Sequence, residues 1–370
     1  MATGVTTYQC PACTGPLHFV GESGKLECDY CGTTYDVAEI EKIYREKEAA
    51  SAAAQAAVDA AHDRESAAAE QMGVSWDAQE TAGMKTYNCP SCGAEMICDA
   101  STAASSCPYC GNPAIVPGQF TGGLRPELVI PFKLDKQAAV DALKKYYQGK
   151  KFLPKAFREQ NHIEEIQGVY VPFWLCDCQV DGTATYHASN SRTWQEGDYE
   201  ITETDHYEVD RSGRIGFERI PVDASTKMPD AHMDAIEPYD YSALKPFSTA
   251  YLPGFLADRY DVNQQDSLPR IQKRAENSAA IELRNTVKGY GSVHAQSQSF
   301  QFHRGDMKYA LMPVWMLSTK WNGQNFLFAM NGQTGKLIGD LPVDKGKYFA
   351  WFAGIAVPLM ALILGFWFLL

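Results

Sequence analysis

The sequence is short of positive charge. Its 33 Lys and Arg face 45 Asp and Glu across 370 residues, leaving a net charge of −12. Such a chain repels a phosphate backbone, so nucleic acid is a poor default partner. The usual catalytic phrases are missing too. No G-x4-G-K-[ST] occurs, and the nearest approach, GQTGK at Gly332–Lys336, has the make-up of a hairpin turn rather than a phosphate cradle. G-x-S-x-G and H-E-x-x-H are absent. The eight histidines are scattered, with no pair at metal-ligand spacing. Met1 to Tyr8 carries neither the basic patch nor the apolar run of a secretory signal. No constellation for catalysis stands out, and the expectation is a protein that is not an enzyme.

What is present is cysteine in a repeated spelling. Cys10-Pro11-Ala12-Cys13 is followed after fourteen residues by Cys28-Asp29-Tyr30-Cys31, and Cys89-Pro90-Ser91-Cys92, again after fourteen, by Cys107-Pro108-Tyr109-Cys110. A two-residue gap lets a tight turn aim both thiolates at one tetrahedral ion, and the pair of pairs is the spelling of a four-thiolate zinc site. Gly15, Gly32, Gly93 and Gly111 lie at or just after the turns, where positive φ is needed. Two structural Zn2+ ions are expected: one held by Cys10, Cys13, Cys28 and Cys31, the other by Cys89, Cys92, Cys107 and Cys110. Four protein sulfurs leave no open position for chemistry. Thiolate sites and nine of eleven cysteines in the ribbon stretches point to a reducing compartment. Cys98, inside the second set, reads as a small apolar hairpin residue.

Residues 1–36 form ribbon 1, acidic around its single Lys25. Residues 37–83 are rich in alanine and lack proline, which predicts a long helix. Its apolar stripe is thin, so an exposed spacer is favoured over an alanine-seamed coiled coil that would make a homo-oligomer. Ribbon 2 covers 84–118, and an α+β body with antiparallel sheets covers 119–345. In the body, Val129–Phe132 reads as a strand, and Asp135 caps a helix presenting Ala139, Val140, Leu143 and Tyr147 on one face. A strand follows at 168–180, then a meander of short strands at 182–188, 198–210 and 213–222. A second helix starts at Asp266 or Ser267 and ends near Val287. The acids at 196–210 read as a solvated face. Cys176 and Cys178 share a strand face and read as packing thiols rather than a redox or metal pair.

One phrase recurs. Pro172-Phe173-Trp174-Leu175 leads to Gly182, and Pro313-Val314-Trp315-Met316 leads to Gly323, each glycine ten residues after its proline. A helix precedes each phrase, which predicts a pseudo-duplicated body of two α+β halves, each strand turning at its glycine. A further hairpin turns through Asn331–Gly335. The last 22 residues, Phe349 to Leu370, carry no charge. As a helix they would span about 33 Å, enough for the hydrocarbon core. Lys345 and Lys347 precede them, so residues 346–370 are expected to be a transmembrane tail anchor, with the N-terminal part in the cytosol at the inner membrane.

Taken together, the two ribbons, VIPFKL at Val129–Leu134, VYVPFWL at Val169–Leu175, LPGFLADRYDV at Leu252–Val262, LMPVWML at Leu311–Leu317, the Asn331–Gly339 turn and the terminal span resemble a family of bacterial membrane-anchored zinc-ribbon proteins. Its members bear names such as TFIIB-type zinc ribbon-containing and primosomal protein N′-like. The resemblance implies work in envelope stress or membrane maintenance, alongside phage-shock-type, SPFH-domain or TPM-domain proteins. The expectation is a membrane-anchored adaptor whose ribbons recruit other proteins, with membrane lipid met by the tail. The alternative is a membrane-tethered nucleic-acid-binding ribbon factor.

Overall fold

The computed structural model describes residues 10–12, 17–20, 23–28, 31–43, 45–46, 76–77, 80–81, 83–102, 106–112, 116–119, 124–160 and 163–369. They form two sheets. β1 (Leu17–Val20), β2 (Lys25–Cys28) and β3 (Thr34–Tyr35) make a small antiparallel one. The other has eleven strands: β4 (Met84–Asn88), β5 (Glu95–Asp99), β6 (Val116–Gln119), β7 (Leu128–Val129), β8 (Gln167–Glu196), β9 (Tyr199–Asp223), β10 (Lys245–Pro246), β11 (Leu256–Asp258), β12 (Ser292–Trp321), β13 (Gln324–Asn331) and β14 (Leu337–Gly339). Its spatial order is β10-β7-β12-β8-β11-β5-β4-β6, with β9 also beside β8 and the pair β13–β14 beside β12. The helices of the body are α1 (Lys136–Tyr147), α2 (Lys155–Gln160), α3 (Asp230–Ile236) and α4 (Gln264–Asn285), followed by α5 (Lys345–Leu369).

Local signals account for the helices. The Asp135 carboxylate accepts from Ala138 N at 2.8 Å, and Ala139, Val140, Leu143 and Tyr147 are the buried face of α1. α4 begins at Gln264, two or three residues before the expected Asp266 or Ser267, because Asn263 caps it through Asp266 N at 2.9 Å.

The centre of the body is the antiparallel pair β8 and β12, with Leu311 opposite Pro172 and Pro313 opposite Tyr170. Proline is excluded from a central strand unless its missing N–H faces no partner. Both prolines satisfy that condition in the same way. On its other side β8 pairs with β11 up to Tyr170 and with β9 from Phe173, so Pro172 sits where one neighbour hands over to the next. On its other side β12 pairs with β7 up to Leu311 and with β13 from Val314, so Pro313 sits at the matching gap. Ala224 N donates to Pro172 O at 2.9 Å, and Gly332 N to Pro313 O at 2.8 Å. Each tryptophan two residues on is buried and donates its indole N–H to a loop carbonyl, Trp174 to Val262 at 2.8 Å and Trp315 to Leu134 at 3.0 Å.

The expected α+β fold class with two separate halves is therefore corrected. The body is one large mixed sheet in which the two repeats interleave. α1 precedes β8 in sequence but packs on Trp315, Leu317, Phe328 and Met330 of β12 and β13. α4 precedes β12 but packs on Cys176, Cys178 and Val180 of β8 and Ile220 and Val222 of β9. Each helix thus packs on strands of the other repeat, and α4 also meets Phe300 and Phe302 of β12. The meander is corrected likewise: β8 runs unbroken through Gly182, where α4 and β12 approach closely. A Cβ on it would lie 2.9 Å from Leu283 Cδ1 of α4 and 3.0 Å from the Phe300 ring. At Gly323 the strand does turn, with φ of 48° at Asn322 and 77° at Gly323.

Two further expectations change. Residues 37–43 are helical, but most of the alanine-rich segment, 47–75, lies outside the described residues, and no long helix joining the ribbons is found among the described residues. Nor is any helix among them long and apolar enough to cross a membrane. The start of α5 is fastened to the body instead. Lys347 Nζ donates to Leu153 O at 3.1 Å, Trp351 meets Phe152 edge-on at 6.5 Å, and the Lys151 ammonium sits 4.3 Å from the Trp351 ring. The tail anchor and the inner-membrane location drawn from it are withdrawn.

β8 bends at a register shift beside Cys178 and β12 at one beside Arg304, where Gly305 crosses Asp177. A Cβ on Gly305 would lie 2.5 Å from the Asp177 carbonyl oxygen, a backbone atom that cannot step aside. Gly305→Ala is expected to destabilise the chain by roughly 1–3 kcal/mol in a urea melt, as overpacking does. Gly213→Ala, at a β9 position with open space around it, is expected to change stability by less than about 0.5 kcal/mol.

Candidate metal centres

The three described cysteine turns are one structure built three times. Cys28 N donates to Thr33 O and Gly32 N back to Cys28 O, both at 3.0 Å. Cys89 N meets Ala94 O and Gly93 N meets Cys89 O, both at 2.9 Å, while Cys107 N and Asn112 O are 2.7 Å apart and Gly111 N and Cys107 O 2.8 Å. The turn closes only if its fifth residue is left-handed, and Gly32, Gly93 and Gly111 have φ of 67°, 69° and 69°. This is the geometry that the sequence spacing predicts.

In ribbon 2 the four Sγ atoms of Cys89, Cys92, Cys107 and Cys110 lie within 4.8 Å of one another, with Cys89–Cys110 at 3.5 Å and Cys92–Cys107 at 3.6 Å. A tetrahedral ion with Zn–S near 2.3 Å sets its sulfurs about 3.8 Å apart, so the donor set fits. Crowding already drives the thiols' proton affinities apart. Cys89 is held far below the usual thiol range, first by its hydrogen bond with Cys107, and Cys107 is pushed far up by Cys110 and Cys89. A bound divalent ion would hold all four as thiolates and act as a cross-link. In ribbon 1, Cys10, Cys28 and Cys31 are likewise within 4.8 Å, with Cys10–Cys31 at 3.6 Å. Cys13, the expected fourth ligand, lies outside the described residues, as does Gly15. Tyr35 OH is 3.4 Å from Cys10 Sγ, and Thr33 Oγ1 is 3.1 Å from Cys31 Sγ.

The surroundings of the two sites differ. β4, β5 and β6 belong to the main sheet through β11, with Asp258 opposite Met96, and Cys89 and Cys107 are buried in the same cluster as Val169, Val171, Phe173 and Met312. Gly111 comes so close to β12 that a Cβ would lie 3.2 Å from Ser318 O. Ribbon 1 has its own sheet and its own small core of Cys10, Leu17, Leu26, Cys28 and Ile40. It meets the body at Gly323 N, which donates to Ala12 O at 3.2 Å.

A model of the Trm112p-like protein family matches residues 9–39, which include the four cysteines of ribbon 1. Over the greater part of its length the chain is similar to uncharacterized protein YdjG of Bacillus subtilis (strain 168). The two are 34% identical over 335 residues, an alignment covering 76% of this chain and 98% of that protein. The chain belongs to the YdjG family. No solved structure matches it. It is a zinc-ribbon-type protein, and neither match carries the TFIIB-type or primosomal designation.

Sequence spacing missed the polar groups that bind ribbon 2 of this YdjG relative to its body, since they sit some 150 residues away. Arg259 Nη1 donates to Glu95 Oε1 at 2.9 Å, both groups buried. Tyr109, between the two ligands of the second turn, is buried beside Asp258, whose carboxylate accepts from Ser225 Oγ at 2.7 Å. Burial pushes the Asp258 carboxyl up to about 7. Cys98 is buried on β5, and Cys176 and Cys178 are buried under α4, with burial raising both thiols above their ordinary range. Raised thiols are poor nucleophiles, which fits packing.

Because ribbon 2 shares the body's core, Cys107→Ser is expected to abolish the cooperative melt of the whole chain. Metal binding at such sites supplies ~10 kcal/mol or more, comparable with a domain's entire stability. Cys28→Ser is expected to remove one metal equivalent by elemental analysis and leave the main melt within a few degrees of the parent. For Asp258, the unfolded carboxyl ionises near 4 and the folded one near 7, so stability falls as pH rises between those values and is level above. Asp258→Asn, which keeps an acceptor for Ser225, should therefore stabilise the chain, by about 1 kcal/mol more at pH 8 than at pH 6. Chemical denaturation at the two pH values measures the difference.

Proposed function

We propose that the protein is a non-enzymatic zinc-ribbon adaptor that presents ribbon 1 to another protein, with each ribbon holding a structural zinc ion. The observation that carries this reading is the contrast between two centres of one spelling. Ribbon 2 is spent on the body: Cys89 and Cys107 are buried in the body's core, and β5 is paired into the main sheet through β11. Ribbon 1 is left outward. Among the described residues its β1 pairs only with β2, which leaves one backbone edge of the small sheet open there, and Phe19 on that strand is 60% exposed. An exposed aromatic on an open edge is a feature of surfaces where partner chains seat.

Charge supports protein over nucleic acid. Lys25, the lone lysine of 1–36, sits 3.7 Å from Asp36 Oδ1, which offsets it, and a four-thiolate zinc centre adds negative charge. Ribbons that grip phosphate present several uncompensated cations.

The test is proximity capture from native cells with the full-length chain, comparing the parent with Phe19→Glu. A charge at the centre of a hydrophobic contact is expected to reduce the captured partner by at least about tenfold, while metal content stays at two per chain. An unchanged partner set, or salt-sensitive DNA or RNA binding by the parent that Phe19→Glu leaves intact, would replace this reading.

A further inference from the structure

The far ends of β8, β9 and β12 leave the body as a three-stranded blade. α4 covers one of its faces. The other face is polar, and register brings together on it three histidines that are far apart in sequence. In one row across the blade, His294 of β12 is directly opposite His187 of β8, which is directly opposite Glu208 of β9. One step along, His206 of β9 is opposite Ser189, and its ring stacks on that of His187 with centroids 5.1 Å apart and planes at 30°. All three histidines and Glu208 are exposed.

We propose that His187, His206 and His294, with the Glu208 carboxylate, form a surface site for a borderline divalent transition-metal ion such as Ni2+ or Zn2+. Direct cross-strand partners hold their Cβ atoms about 4.5–5.5 Å apart, which lets two imidazoles reach one ion at an N–metal distance near 2.1 Å. Imidazole and carboxylate donors suit Ni, Zn and Cu rather than Ca or Mg. Two features of the blade favour the arrangement. A register shift between Ala295 and Ser297 follows His294 directly, and irregularities of this kind re-aim side chains at functional sites. The hydroxyls near these histidines pair with one another or with a carboxylate: Ser189 Oγ and Ser292 Oγ are 2.8 Å apart, and Thr185 Oγ1 donates to Asp210 Oδ1 at 2.7 Å. The hydroxyls thus hold the three strands in register and leave the imidazoles for a ligand. The rings of His187 and His206 now lie stacked, and rotation of these exposed side chains turns their nitrogens to a common point.

The site is separate from the ribbons, whose thiolates keep their own metal. Calorimetric titration of the full-length, metal-loaded chain with Ni2+ is expected to show one additional equivalent per chain, with affinity falling at least about tenfold in His187→Gln and in His206→Gln. His303→Gln is the control: His303 lies on the same face but is engaged by Asp181 Oδ2 at 3.0 Å, and its loss is expected to leave Ni2+ affinity unchanged. Absence of Ni2+ binding by the parent up to millimolar concentration, or equal affinity in the parent and both ligand variants, overturns the proposal. Should a variant fail to fold, imidazole nitrogen resonances of the parent decide. One equivalent of Zn2+ added to the loaded chain must shift those of His187 and His206 and leave His303, and no shift overturns the site.

Discussion

Everything in the body hangs on the antiparallel pairing of β8 with β12. The ladder runs from the Met316–Gln167 pair at the body end to the Ser292–Ser189 pair at the blade end, interrupted by two register shifts. Each strand keeps that one partner on both sides of its proline and exchanges the other partner there. The exchange is what makes the sheet mixed. Up to the proline the second neighbour is a short parallel strand, β11 or β7, and beyond it the neighbour is the antiparallel return strand, β9 or β13. A residue without an N–H is at no disadvantage where there is no acceptor facing it. The indole two residues later then closes the gap by donating to the loop that leads to the other helix.

This interlock explains why the two repeats do not behave as two domains. Each helix covers strands of the other repeat, so pulling them apart would expose α1, α4 and both tryptophans together. It also gives the ion pairs of α4 their place. Arg270 reaches Asp223 at the end of β9 and Asp234 on α3, both at 2.6 Å, while Arg274 pairs with Glu237 just beyond α3. Burial raises the Asp223 carboxyl to about 6 despite Arg270, so this network specifies how α4 sits more than it stabilises the fold.

How much could be read beforehand follows the range of each interaction. The cysteine turns were legible because ligand, glycine and backbone bonds all fall within six residues. The face of α1 was legible because a 3.6-residue period is a local property, and Asp135 marked its start. Gly182 was misread because a glycine in a strand has two meanings, a turn or a close approach, and only the position of Leu283 on a helix 100 residues away separates them. The terminal run shows the same limit. Hydrophobicity alone suggested a membrane span, whereas its first turns are tied to Phe152, Leu153 and Lys151, partners that composition does not reveal. The meeting of His187, His206 and His294 depends on strand register, and a one-residue slip would have sent each to the opposite face.

The blade poses its own physical problem. A strand of 30 residues would extend about 100 Å if straight, and the far halves of β8, β9 and β12 have no fourth strand beside them among the described residues. Such a ribbon has two open edges and two faces, and α4 protects only one face. The remaining face is kept wet by cross-strand hydroxyl pairs: Ser191 with Thr204 at 2.8 Å and Thr193 with Thr202 at 2.9 Å continue the row that includes Ser189 with Ser292. The β9 edge is kept apart from copies of itself by Glu200, Glu203, Asp205, Glu208 and Asp210, since two such edges would set like charges opposite one another. The acidity that argues against a phosphate partner thus has a structural use. It lets a long sheet stand out from the body without a covering layer, and leaves its polar face accessible.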